Sequence, residues 1–228
     1  MDGETASFYL EAIASRHSVR QYEEEPLAPQ DIAALRACVD RCNIDGNLRF
    51  QLVTGEKQVF SGLMAHYGTF RGVTDYVALV GKRAEDLDER CGYYGERLAL
   101  EAQMLGLNTC WAALTYRKIP GVFTVMPDEK LIAVIALGKG KNQGKPRRSK
   151  SADRVSVYEG ESPEWFSRGV RAALLAPTAL NQQKFKIIGR GDTVSLRAGI
   201  GPCVKIDLGI VRFHFECGAA PHEGNGSE

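Results

Sequence analysis

Two similar segments, residues 37–53 and 172–188, constrain the fold of this chain more than any other feature. Their sequences are ACVDRCNIDGNLRFQLV and AALLAPTALNQQKFKII, and each indicates a helix, a turn and a strand. A long helix follows each copy in the same order. Helix–turn–strand units are common, so the alignment alone is weak support. It predicts an internal duplication, with halves at about 1–140 and 160–218, joined by a basic loop at 139–160.

The other helices and strands follow from the spacing of apolar residues. Helices carry them on one face, as at Leu35 and Cys38, whereas the strands alternate or are apolar throughout. Pro29 and Asp31 mark the start of a helix, and Gly106 marks the end of another. The predicted helices cover 5–15, 26–42, 88–106, 163–176 and 206–219, and the predicted strands cover 47–54, 74–81, 131–138, 184–189 and 193–199.

Composition limits the classes of protein to which the chain can belong. A length of 228 residues allows one substantial core or two small ones. The 29 basic and 28 acidic residues give a net charge of +1, which argues against nucleic acid as a partner. No apolar run approaches the ~20 residues that span a membrane, and the acidic start is unlike a secretory signal. Scattered cysteines without a C-x-x-C pair indicate free thiols and no metal site. We therefore expect a cytoplasmic protein with neither a membrane nor a nucleic-acid partner.

The run RHSVRQY near the start of the chain is dense in hydrogen-bond donors. Arg16, His17, Ser18 and Arg20 lie within five residues. Guanidinium groups grip phosphate oxygens in pairs, so this pattern suits a phosphate site. The alternative is an exposed helix end whose arginines pair with the acidic run at 23–25. From these residues alone the two interpretations are equally supported.

A basic run follows the buried strand at 131–138. The sequence KGKNQGKPRRSKSADR holds seven Lys and Arg in sixteen residues and has no periodicity. Such runs are usually solvated loops, but a loop directly after a buried strand is also where ligands are bound. Arg147, Arg148 or Lys150 could therefore join Arg16 and Arg20 around one anion. The run has no aromatic side chain for stacking, which argues against RNA.

The turn APTALNQQ, residues 176–183, places polar groups between two elements that should be buried. Pro177, Thr178 and Asn181 lie at its centre. Buried amides and hydroxyls need hydrogen-bond partners, so the turn predicts a ligand contact. The first copy of the repeat has cysteine and glycine at the matching positions, so only the second copy carries this polar turn.

A third candidate region, residues 105–115, follows the predicted end of a helix. Trp111 there could belong to the core or could form the wall of a site for a flat ligand. Cys110 follows the carboxyl end of the helix, which does not lower the pKa of a thiol, so we interpret it as structural. No side chain in the sequence is an evident catalytic acid or base.

Together, RHSVRQY, GYYGERLALEAQMLGLNTCW, KPRRSK and APTALNQQKF resemble the FMN-dependent nitroreductase superfamily. The order of the motifs is similar to that of its thermophilic-type subgroup, in which two such units are fused in one chain. The resemblance covers about residues 10–218. It implies an α+β fold with a central, mainly antiparallel sheet, flanking helices and an internal duplication within one nitroreductase-like unit of residues 1–228.

The resemblance also implies roles for particular residues. Arg16, Ser18 and Arg20 would bind the phosphate and ribityl chain of FMN, with His17 nearby and with Arg148 and Lys150 as further phosphate partners. Pro177, Thr178 and Asn181 would line the isoalloxazine or ribityl edge. The backbone of Trp111, Ala112, Ala113 and Leu114 is similar to the segment that donates to the flavin in this superfamily.

The implied activity is a ping-pong transfer from NADH or NADPH, through FMN, to an electron-poor small acceptor such as a nitroaromatic or a quinone. The alternative is a flavin- or small-ligand-binding protein without such turnover, or a deiodinating or flavin-fragmenting relative. Residues 154–158, RVSVY, have tyrosine where the second arginine of the motif would stand. We therefore expect one working FMN site per chain. A monomeric pseudo-dimer is possible.

Overall fold

A computed structural model describes residues 1–60, 70–113 and 121–221 of the chain. It divides into two compact units, which are treated separately below. The central unit is Arg16–Pro146. The terminal unit combines Met1–Ser15 with the chain from Arg147 onward, so its two parts are far apart in sequence.

The helices and strands of the described residues are, in chain order, α1 (Gly3–Ser15), α2 (Pro29–Gly46), β1 (Gln51–Val53), β2 (Asp75–Lys82), α3 (Leu87–Met104), β3 (Asn108–Ala112), β4 (Glu129–Gly138), α4 (Ala152–Val155), β5 (Ser156–Glu159), α5 (Glu164–Ala173), a 3₁₀ turn (Ala179–Asn181), β6 (Phe185–Arg190), β7 (Thr193–Ala198) and α6 (Val204–Ala219).

The central unit is built on a four-stranded antiparallel sheet in the order β1-β2-β4-β3. β2 and β4 are buried along nearly their whole length, because their sequences DYVALVGK and EKLIAVIALG are almost continuously apolar. Helix α3 can approach closely because Gly81 has no side chain: a Cβ there would lie 2.5 Å from Leu87. Helix α2 begins with Pro29 at its first position, where a missing N–H costs nothing.

The terminal unit has its own three-stranded sheet in the order β5-β6-β7. β5 is parallel to β6, and β6 is antiparallel to β7. Helices α5 and α6 pack closely through Gly169, where a Cβ would meet the ring of Phe215 at 2.6 Å. Helix α1 joins this unit through Tyr9, whose ring meets that of Phe213 edge-on at 5.0 Å between centroids.

The predicted α+β fold with an antiparallel sheet and flanking helices is confirmed, and every predicted long helix is present. Three short elements were not predicted: β3, α4 and β5. β1 covers only three residues, fewer than the predicted strand. Each unit contains a helix, two antiparallel strands and a second helix in the same order. The internal duplication, with its halves at 1–140 and 160–218, stays a prediction. Among the described residues, no helix is long and apolar enough to cross a lipid bilayer.

Candidate functional site

The arginine segment, residues 16–20, runs alongside β3 in the central unit. Ser18 forms a parallel bridge with Thr109, and the Val19 backbone N–H donates to the Thr109 carbonyl at 3.1 Å. Because β3 continues to Trp111 and Ala112, the segment lies beside the strand that carries two of the residues predicted for the site. Two regions that are ninety residues apart in sequence are thus brought together.

The start of the basic run encloses the arginine segment from another side. Gly140 donates its N–H to the Asn108 side chain at 3.0 Å, and Lys141 donates its N–H to the Gln21 carbonyl at 2.9 Å. Gly144 has a φ of +73°, and a Cβ on it would lie 2.7 Å from Cβ of His17. Glycine is therefore required at 144 both for the backbone conformation and for the close approach.

Arg16 is the most unusual residue of this cluster. It is only 2% exposed, and none of its three guanidinium nitrogens has a hydrogen-bond partner among the described residues. Its ion-pair partner is Glu96, whose Oε1 lies 3.6 Å from Arg16 Nε. Buried charged donors normally carry hydrogen bonds, because leaving them empty costs free energy. The empty donors are suited to an anionic group with several acceptor oxygens.

Glu96 and its neighbour in α3 fix the side chain of Trp111. The indole N–H of Trp111 donates to Glu96 Oε2 at 2.8 Å. Directly before Glu96, Gly95 leaves room for the indole ring, since a Cβ there would lie 2.5 Å from Trp111 Cη2. The carboxylate is fully buried. One acidic side chain therefore lies between the tryptophan of β3 and the arginine of residue 16.

Cys110 lies on β3, between Thr109 and Trp111, and is buried. Burial raises the pKa of its thiol. A thiol with a raised pKa stays protonated near neutral pH and is a poor nucleophile. This geometry agrees with the structural role predicted for Cys110, although the residue lies on a strand that was not predicted.

The polar turn, residues 176–183, belongs to the terminal unit and is held by hydrogen bonds of its own chain. The Gln183 backbone N–H donates to Thr178 Oγ1 at 3.1 Å, and Asn181 Nδ2 donates to the Arg148 carbonyl at 2.8 Å. The side chain of Gln183 is 2% exposed. It accepts from the Lys150 backbone N–H at 2.7 Å and donates to the Leu174 carbonyl at 3.0 Å.

The basic arm, residues 147–150, lies along this turn. Lys150 Nζ donates to the carbonyls of Gln182 and Gln183, each at 2.8 Å. Ser149 Oγ donates to the Leu174 carbonyl at 3.0 Å, and the Arg147 guanidinium donates to the Leu175 carbonyl. The ammonium group of Lys150 is therefore engaged within the terminal unit. Arg148 is exposed, and its backbone carbonyl is the acceptor for Asn181 of the turn.

Asp207, in the first turn of α6, holds the other side of the polar turn. It is 4% exposed. Its Oδ1 accepts from the Ala179 backbone N–H at 2.9 Å, and its Oδ2 accepts from Gln182 Nε2 at 2.8 Å. Gln182 Nε2 also donates to the Pro202 carbonyl at 2.7 Å. Burial raises the pKa of Asp207, and the two hydrogen bonds act in the opposite direction.

The predicted site residues thus fall into two clusters, one in each unit. The central unit brings together the arginine segment and the end of β3, that is Arg16, His17, Ser18, Arg20, Trp111, Ala112 and Ala113. The terminal unit brings together the basic arm and the polar turn, that is Arg148, Lys150, Pro177, Thr178 and Asn181. Leu114 lies outside the described residues.

Two carboxylates of these clusters were missed by the sequence analysis. Glu96 stands in the interior of a helix, where a glutamate usually faces water, and Asp207 stands early in another. The clue at Glu96 was the preceding glycine within a helix, since glycine there usually has a packing reason. Asp207 gave no comparable clue. The described residues contain no group of three or more His, Cys, Asp or Glu side chains placed to hold a metal ion.

Comparisons with known proteins identify relatives of the chain. Residues 9–219 match the model of the family described as "Putative TM nitroreductase". No protein of curated function matches the sequence. A "putative nitroreductase" structure from Thermotoga maritima superposes with a TM-score of 0.62 at 22% identity, covering 92% of this chain and 82% of that one.

Two further structures superpose over a smaller part of the chain. A "putative nitroreductase" in complex with FMN from Desulfovibrio desulfuricans gives a TM-score of 0.53 at 20% identity, covering 68% of this chain and 96% of that one. A protein from Parabacteroides distasonis, named NADH dehydrogenase/NAD(P)H nitroreductase, gives 0.51 at 21% identity, with coverages of 64% and 95%. At these identities the likenesses show a shared fold.

Proposed function

The chain belongs to the family described as "Putative TM nitroreductase", and on that premise we propose that it is an FMN-dependent oxidoreductase. It passes a hydride from NADH or NADPH to an electron-poor small acceptor, such as a nitroaromatic or a quinone. The two half-reactions follow a ping-pong order, in which the oxidised nicotinamide leaves before the acceptor binds.

The observation that carries the proposal is the buried guanidinium of Arg16 with its empty donors. FMN ends in a phosphate, a dianion with acceptor oxygens that pair well with a guanidinium. Ser18 and Arg20 stand two and four residues further along the same segment and can add a hydroxyl and a second positive charge. The residues present therefore fit the phosphate end of FMN.

The remaining assigned residues are suited to the other parts of the cofactor. Trp111 offers a flat side chain that Gly95 and Glu96 hold in one place. Thr178 and Asn181 offer polar groups, and Pro177 offers an apolar surface, for the ribityl chain and the ring edge. Lys150 is the assignment with least support, because its ammonium group already donates to two carbonyls.

Bound FMN supplies the hydride chemistry, and the chain supplies binding and electrostatics. The arginine segment would fix the phosphate and so set the position of the ring. The neutral Cys110 thiol behind the segment adds no charge to that environment. Two of the similar structures support FMN as cofactor and a nicotinamide as reductant: one is a complex with FMN, and the other is named for NADH or NAD(P)H.

The decisive experiment is an absorbance spectrum of the purified protein, recorded with added FMN and then anaerobically with NADH and with NADPH. The proposal predicts retained flavin bands that bleach with at least one nicotinamide and recover when a nitroaromatic or quinone is added. Retained flavin that neither nicotinamide bleaches would instead identify a flavin-binding protein without turnover. A protein that takes up no FMN would overturn both.

A further inference from the structure

The polar turn is held in a conformation that its residues do not favour. Leu180, Asn181 and Gln183 have φ angles of +53°, +52° and +44°, in the left-handed region. Asparagine tolerates this region, but leucine pays a free-energy cost there. Leu180 is also 90% exposed, so burial does not offset that cost. The surrounding structure must therefore impose the conformation.

Asp207 provides the two contacts that bracket the strained residues. Its carboxylate accepts from the backbone of Ala179 and from the side chain of Gln182, the residues on either side of Leu180 and Asn181. The two oxygens are used by different donors, so the carboxylate spans the turn. Thr178 and Gln183 close the same turn with a third hydrogen bond.

Burying a carboxylate costs free energy unless it is paired. Within the described residues, Asp207 forms no ion pair with a basic side chain. A neutral side chain of the same shape would avoid that cost. An asparagine, however, has one acceptor oxygen and could satisfy only one of the two donors. Only a carboxylate of this size accepts from both sides of the turn at once.

We propose that Asp207 is a positioning residue that holds Leu180 and Asn181 in their left-handed conformation, and thereby holds the turn assigned to FMN. The inference deepens the proposed function and rests on it. Asp207 acts through the turn, without contacting the cofactor itself. Its loss should loosen the turn locally while leaving the hydrophobic core of the terminal unit intact.

The first test compares Asp207→Asn with Asp192→Asn, which changes an exposed aspartate in the turn between β6 and β7. Hydrogen exchange of the peptide 177–184 is measured together with the dissociation constant of FMN. Loss of one hydrogen bond predicts faster exchange in Asp207→Asn and FMN binding weaker by roughly three- to tenfold. Asp192→Asn should match the wild type. If Asp207→Asn matches it too in both measurements, the proposal is wrong.

A second test uses relief of the backbone strain. Asparagine is close to leucine in size, and it adopts the left-handed region at a lower free-energy cost. If Asp207 serves to hold that conformation, Asp207→Asn should cost less FMN affinity in a Leu180→Asn background than in the wild type. Measuring both single variants and the double variant separates this coupling from any direct effect of residue 180. Equal losses in the two backgrounds would contradict the proposed role.

The readouts separate the failure of this proposal from failure of the proposed function. A wild-type chain that binds no FMN overturns the function, while the exchange measurement still decides whether Asp207 holds the turn. If Asp207→Asn does not fold, Gln182→Ala removes one of the two donors to the Asp207 carboxylate, together with the hydrogen bond from Gln182 to the Pro202 carbonyl. Unchanged exchange and unchanged FMN affinity in that variant would overturn the proposal.

Discussion

Trp111 donates its indole N–H to Glu96 at 2.8 Å, and the same carboxylate is the partner of the Arg16 guanidinium at 3.6 Å. The tryptophan and the arginine, which are almost a hundred residues apart, are thus fixed by one buried acidic side chain. Three predictions follow from this group, and two more concern the flavin stoichiometry and a separate ion pair.

Glu96→Gln should destabilise the protein. Glutamine keeps an acceptor for Trp111, but it leaves the buried charge of Arg16 uncompensated. Breaking a buried ion pair on one side typically costs about 3–5 kcal/mol. Urea unfolding followed by far-UV circular dichroism measures the change. Added FMN should recover part of the loss, and a free energy of unfolding equal to that of the wild type would contradict this account of the group.

Gly95→Ala should displace the indole ring of Trp111. The new methyl group would lie 2.5 Å from Cη2, and overpacking of this kind costs about 1–3 kcal/mol. Trp111→Phe removes the atoms that clash, so adding it to Gly95→Ala should recover stability relative to the sum of the single changes. Thermal unfolding of the three variants measures this coupling. Strict additivity would show that Gly95 has some other role.

Arg16→Lys should weaken FMN binding by roughly tenfold or more, because lysine keeps the charge beside Glu96 but loses the planar set of donors. Arg36→Lys, on the exposed side of α2, is the matched control. Quenching of flavin fluorescence gives both dissociation constants. Equal affinities for the two variants would remove Arg16 from the proposed site.

One FMN should bind per chain. The polar turn exists in only one copy of the repeat, and the second arginine motif has a tyrosine at 158. Denaturing the saturated protein and comparing the flavin absorbance with the protein concentration measures the ratio. A ratio near two would show that both copies retain a working site.

The Arg49–Glu129 ion pair predicts a pH dependence of stability. Hydrogen bonds from Arg49, the largest effect, lower the pKa of Glu129 below its ordinary value of 4.5. The folded state therefore holds this proton less tightly than the unfolded state. The stabilisation is present above pH 4.5 and is lost as the pH falls through the lowered pKa.

Urea unfolding of the wild type and of Glu129→Gln, from pH 3 to pH 7, tests this sign. The difference in free energy of unfolding between the two should shrink as the pH falls below about 4.5. A difference that stays constant over this range would contradict the assignment. Glu164→Gln removes the mostly exposed partner of Arg171, which also lowers the pKa of Glu164, so its difference should shrink in the same sense but by less because solvent screens the pair.

The long elements could be predicted from the sequence because each has a clear apolar pattern. β3 could not, since its five residues NTCWA follow directly on a helix end and include two polar side chains. α4 and β5 lie in a basic stretch without periodicity, and each has only four residues. Their structure depends on partners elsewhere: β5 is fixed by its pairing with β6, and β3 by its pairing with β4.

The candidate site residues could be proposed from motifs, but the contacts that hold them could not. The polarity of the turn was evident, yet its main partners are Asp207 and the basic arm, both more than twenty residues away. The arm was interpreted as a set of phosphate donors, whereas Lys150 and Ser149 donate to carbonyls of the turn region. Local sequence gives the donors and acceptors of a segment, but tertiary structure decides which pairs form.

The split of the terminal unit along the chain affects how it is made on the ribosome. Tyr9 of α1 packs on Phe213 of α6, so the first helix is synthesised about two hundred residues before its partner. At bacterial and eukaryotic elongation rates this delay is about 10–40 s. During that time the central unit can fold, while the apolar face of α1 has no native surface to cover it. Until α6 has been synthesised, the apolar face of α1 can therefore make only non-native contacts.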